Sequence, residues 1–153
     1  MGDTTAVGTD AAGGTARAED EAALHELVRR QERAWTAGDG PAFAATFTED
    51  ADFVAVNGEH IEGRAAVAAS MTEGFAGFMA GTRMSAPRRT TLRWPAPGVA
   101  VMVTEGVCVL RGGDTECRPE DLSVQTRVAV RDGGGWLFTS FHNCRMWGTH
   151  GAD

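Results

Sequence analysis

"TRVAVRDGGGWLFTSFHN", residues 126–143, decides the fold. Two apolar runs of strand length flank Asp132-Gly133-Gly134-Gly135. Glycines supply the positive φ that a tight hairpin demands, so the runs read as an antiparallel pair. The second run, from Trp136 to Phe141, ends abruptly in His142 and Asn143. Successive strand residues point to opposite faces, so these two polar groups look in different directions.

Working back toward the N-terminus, extended segments are expected at about 84–94, 99–110 and 122–131, the last two separated by the polar loop "RGGDTECRPED" (111–121). "ADFVAVNG" (51–58) reads as a shorter strand, with Asn57-Gly58 as a hairpin turn into "EHIEG". Ahead of it the period lengthens. Leu24, Leu27, Val28, Gln31, Ala34 and Trp35 share one face of a helix expected over about 17–37. Gly38 suits its end. Asp39 suits the cap of a short second helix carrying Phe43 and Phe47. A third helix is expected over 64–80, with Val67, Met71, Phe75 and Phe78 as its stripe. Residues 1–16 are small, polar and Gly-rich and are expected as a disordered tail, 17–147 as one domain and 148–153 as a flexible tail. Helices grouped before strands indicate an α+β domain. A curved, mixed or antiparallel sheet wrapped around three N-terminal helices makes a cone, and its open end is a pocket.

At 153 residues the chain is long enough for one well-buried core. Its net charge is -7, and every cation among its 14 basic residues is an arginine. Such acidity argues against nucleic-acid and anionic-membrane partners. No apolar run approaches the ~20 residues that span a bilayer. The N-terminus has no basic start followed by an apolar stretch, so a cytoplasmic location is expected. Cys108, Cys117 and Cys144 are too few and scattered for a disulfide framework and contain no CxxC, so reduced thiols are expected. No nucleotide fingerprint, phosphate loop or GxSxG motif is present, and no cofactor is expected.

"RAWTAGDGPAFAATFTEDADFVAVNGEHIEGR" (33–64), with residues 126–143, resembles the nuclear transport factor 2-like superfamily, and within it the SgcJ/EcaC type, close to the SnoaL-like proteins. The resemblance covers about residues 18–146. It implies a cystatin-like cone whose inward residues are Phe53, Ala55 and Asn57 on the first strand, and Val101, Val103 and Glu105 on a middle one. Gln125, Arg127 and Ala129, then Leu137, Thr139, Phe141 and Asn143, would face inward on the last two. Phe138, Ser140, His142, Val124, Val128 and Val130 would face outward. That face is too apolar for water, and a homodimer packing there is expected. The resemblance also implies an accessory role in bacterial secondary metabolism beside polyketide synthases, notably those of enediyne cores.

Glu105, Arg127 and Asn143 form the polar set expected at the pocket floor. An arginine fork suits a carboxylate or enolate oxygen; alternatively Glu105 and Arg127 simply pair with each other. Gln31 is the polar member of an apolar stripe and is expected to face the pocket. Trp35, Phe53, Val103 and Phe141 would wall it, although aromatics at such spacings also fill cores. Asn57 completes the candidate ligand contacts. His60 sits near the hairpin turn as a rim group able to exchange protons. No metal site is expected, since His142, Cys144 and His150 do not meet known zinc spacings. Asp39, Asp50 and Asp52 read as cap, turn and outward residues. In the ketosteroid isomerase branch the first strand carries an Asp base; the matching position here is Ala55, and the chain has no Tyr.

Three functions follow as expectations. One is a pocket for a hydrophobic polyketide or polyene intermediate. Another is a cofactor-free cyclase, isomerase or dehydratase with Glu105 or His60 as base and Arg127 with Asn143 at the oxyanion. The third is a dimerising scaffold with a vestigial pocket.

Overall fold

A computed structural model describes residues 4–147, with side chains from residue 14 onward. Helix α1 spans Thr4–Ala37. It starts well ahead of Arg17 and takes in most of the stretch expected as tail, which is rich in the strong helix former Ala. Residues 1–3 and the expected tail 148–153 lie outside the described residues. Leu24, Leu27, Val28, Gln31 and Ala34 are buried along one stripe of α1. Gly38, at φ +67°, ends the helix, while the Asp39 amide donates to the Ala34 carbonyl at 2.9 Å. Asp39 then caps α2 (Gly40–Ala44) by accepting from the Ala42 amide at 2.9 Å. A Cβ on Gly40 would lie 2.7 Å from the Thr72 backbone nitrogen, so α2 and the next helix touch through a glycine.

Strand β1 (Phe47–Val54) takes Phe47 out of the expected second helix, and β2 (His60–Glu62) folds back on it. Helix α3 (Arg64–Ala76) stops at Gly77, short of the expected end. Val67, Met71 and Phe75 are therefore buried, and Phe78 is 75% exposed. Next come β3 (Thr82–Met84), β4 (Arg89–Ala96), β5 (Val99–Val107), β6 (Val109–Arg111), β7 (Ser123–Asp132) and β8 (Gly135–Arg145). The main sheet has six strands in the order β2-β1-β8-β7-β5-β4, while β3 and β6 form a separate pair. The β1–β8 pairing is parallel and the others antiparallel, so the sheet is mixed as expected.

Two strand faces differ from expectation. On β5 the buried residues are Ala100, Met102 and Thr104, so Val101, Val103 and Glu105 lie on the outer face. Residues 99–103 are apolar on both faces, and alternation alone cannot choose between them. On β8 the register to β7 shifts, with Val128 opposite Ser140 but Ala129 opposite Phe138. Thr139 is the extra residue of this β-bulge, which exchanges the faces on either side of it. Phe138 is thus fully buried and Leu137 turns outward, while Phe141 and Asn143 face inward.

The core is one cluster in which Phe43, Phe47, Phe53, Phe138 and Phe141 meet edge-to-face, tilted or stacked. At the far end of the sheet Asp20 of α1 accepts from Trp136 Nε1 at 2.9 Å and pairs with Arg131, fixing the helix across the strands. Cys108 and Cys117 are joined by a disulfide, correcting the expectation of reduced thiols; Cys144 is free and exposed. The polar loop folds back to bring the two together, which sequence spacing alone does not reveal. Among the described residues no helix is long and apolar enough to cross a membrane.

Candidate functional site

Arg127 is 1% exposed on the inner face of β7. Cross-strand register sets it in a row with Met102, Phe141 and Phe53. The next row, toward the ends of β1 and β8, is polar: Thr104, Gln125 and Asn143. Helix α1 lays Gln31 over this corner.

Each edge of the guanidinium has a distinct environment. Nε donates to Gln31 Oε1 at 3.1 Å, and Nη1 donates to Thr104 Oγ1 at 3.2 Å. The Gln31 amide is held the right way round because its Nε2 donates to Thr46 Oγ1 at 2.9 Å. Thr46 in turn donates to the Phe43 carbonyl at 2.8 Å. The rings of Phe141 and Phe138 lie 5.0 and 5.6 Å from the guanidinium carbon. Nη2 has no hydrogen-bond partner, and neither does the buried Oδ1 of Asn143.

The partners bonded to Arg127 are neutral. Burial accordingly lowers its pKa to about 10, and the opposing pull comes from Glu32. Burial raises the Glu32 carboxyl, against the pull of Arg127, Arg29 and Arg33. Glu32 also lines a surface cavity of about 480 Å³ between α1 and β3, together with Arg29, Arg33, Arg83 and Met84.

The sequence candidates divide. Gln31, Arg127, Phe53, Phe141 and Asn143 converge on this interior corner. Phe53 and Phe141 stack on each other at 4.6 Å and belong to the core. Trp35 is half-buried against Phe43 and Phe75 and donates to Thr82 Oγ1 at 2.8 Å, so its polar edge is already used. Val103 and Glu105 are on the outer face, and Glu105 approaches Arg89 at 3.7 Å instead of Arg127. Asn57 is exposed in its turn, where its Oδ1 accepts from the Glu59 amide. His60 is exposed and pairs with Asp52 at 2.8 Å. Asp50 lies within β1 rather than in a turn. His142 and Cys144 are exposed on β8, and His150 lies outside the described residues.

Alternation did not reveal Thr104 or Phe138, because the phase of β5 and the bulge in β8 are tertiary features. Glu32 carried no sequence signal beyond adjoining Gln31. Asp52, His60 and Glu62 also bring one ligand atom each within 4.8 Å of one another, because β1–β2 pairing sets Asp52 opposite Glu62. All three are exposed, and the His60–Asp52 pair accounts for their proximity.

Comparison with known proteins agrees with this architecture. A family model described as the SnoaL-like domain matches residues 16–142. A domain of unknown function with a cystatin-like fold from Nostoc punctiforme is 29% identical, with a TM-score of 0.78 over 88% of this chain and 82% of that one. An NTF2-like protein from Novosphingobium aromaticivorans is 23% identical, with a TM-score of 0.78 over 94% and 93%. Aln2 from a Streptomyces species is 21% identical, with a TM-score of 0.70 over 83% and 91%. No curated protein matches significantly.

Proposed function

The chain belongs to the SnoaL-like domain family, and on that premise we propose that it is a small-molecule pocket protein of bacterial secondary metabolism. Its ligand is a hydrophobic polyketide or polyene intermediate, of the enediyne type in the finer reading that the SgcJ/EcaC resemblance implies. The observation that carries this is Arg127. A buried cation with an unused Nη2, beside an unpartnered Asn143 Oδ1, is expensive to keep in a core that serves only packing. Binding or shaping the ligand is favoured over acid–base catalysis because Glu105 and His60, the bases expected from sequence, stay outside the interior.

The working unit in this proposal is a homodimer through the outer sheet face. Val101, Val103, Val124, Val128, Val130 and Leu137 are only half-buried there in one protomer. A dimerising scaffold with a vestigial pocket is the second reading, favoured by the stacked Phe53 and Phe141 rings that occupy the cone.

Native mass spectrometry of protein co-expressed with a polyketide synthase tests the proposal, with Arg127→Ala as control. A polyene retained by the wild type and lost from a folded variant supports it. An empty dimer in both samples favours the scaffold.

A further inference from the structure

We propose that the ligand is an acid, whose carboxylate docks on Arg127 Nη2 after entering past Glu32 from the cavity between α1 and β3. The inference rests on the pocket reading above and adds the chemical class of the ligand and its route.

The geometry of the guanidinium selects an anion. Its aromatic neighbours are Phe138 and Phe141, whose rings offer cation–π contacts and no counter-charge. Gln31 and Thr104 take Nε and Nη1 through neutral oxygens. What is left is the Nη2 edge, on a cation whose hydrogen bonds all go to neutral groups. A ketone or ester oxygen would satisfy the edge alone; a carboxylate would satisfy both, and in-plane guanidinium donors match its lone pairs.

The route follows from Glu32. It sits next to Gln31 in sequence, its field reaches Arg127, and it lines the surface cavity. The other charged groups in that cavity wall are Arg29, Arg33 and Arg83, on a chain whose net charge is -7. Arg29 and Arg33 pair with Glu26, and Arg83 donates to the Gly112 and Asp114 carbonyls. Three arginines against Glu32 and Glu26 leave the mouth with one net positive charge, which favours an anion. Glu32 is the acidic group whose charge acts on Arg127, and an incoming carboxylate replaces it in that role.

The test uses parinaric acid, a fluorescent conjugated polyene, and its methyl ester, titrated into the full-length protein. For the wild type the acid should bind roughly tenfold more tightly than the ester, the return of one charge-assisted contact. Arg127→Gln should bring the acid down to the ester. Glu32→Gln should tighten the acid severalfold and leave the ester unchanged, and this variant of a half-buried residue decides the matter even where Arg127→Gln does not fold. Equal binding of acid and ester by the wild type, with no response to Glu32→Gln, overturns the anion inference while the pocket reading survives. Failure of both compounds to bind overturns the two together.

Discussion

Arg127 is charged, buried and hydrogen-bonded only to neutral groups. Its pKa of about 10 lies below the ordinary arginine value, because burial disfavours the charged form, so the folded protein releases this proton before the unfolded chain does. Between those values the unfolded state binds more protons, and stability must rise with pH; below about 10 the full cost of the buried charge is present. The chain has no Lys and no Tyr, which clears that window of the usual titrations. Urea midpoints measured through it should climb, and a flat or falling series would show that Arg127 is compensated in some other way. Gln31 is the residue that orients it. Gln31→Leu strips the acceptor from Nε and should cost about 1–3 kcal/mol in denaturant unfolding, whereas a neutral result would show that the contact carries no weight. Both residues were legible in the sequence, Gln31 as a polar break in an apolar stripe and Arg127 by its place on the inward face implied by the family resemblance. Thr104 was not, because residues 99–103 are apolar on both faces and Thr104 and Glu105 put one polar group on each.

At the scale of elements, the β8 bulge is the device that shapes the interior. It turns Phe138 in beside Arg127 and Leu137 out, against simple alternation through the whole strand. Phe138→Ala should therefore cost about 3–5 kcal/mol, as a fully buried ring does. Leu137→Ala should cost far less in the same denaturation assay; the reverse ranking would remove the bulge. The Cys108–Cys117 disulfide closes a short loop just after β5, and the sequence separation of 9 gives about 2.5–3 kcal/mol by loop entropy. Thiol titration of the unreduced, denatured protein should find Cys144 alone. Three titrating thiols would show the pair reduced. Spacing could not announce this bond, since the return of the loop is set by the pairing of β6 with β3. The part of helix α1 from Arg17 to Ala37, the Asn57-Gly58 turn and the Asp39 cap, by contrast, are local features, and local chemistry sufficed to find them.

For the whole molecule, the order of helices and strands already implied the cone, and what eluded sequence was which surface of the sheet served which purpose. Val101, Val128 and Ser140 form one cross-strand row on the outer face, with Val103, Thr126 and His142 beside it. In the proposed homodimer this half-buried valine surface packs against a second copy. Val128→Glu should convert a dimer to a folded monomer in sedimentation velocity, and a wild type that is monomeric at every concentration would refute the dimer. Inside the cone, the proposed function rests on the unused Nη2 of Arg127. The most direct test is a crystal structure of the protein isolated from cells that make its ligand. Non-protein density is expected within hydrogen-bonding distance of Arg127 Nη2, continuous with the cavity beside Glu32. Glu32 swung inward onto Nη2, with packed side chains and no further density, would contradict it and leave Arg127 as one half of a structural ion pair.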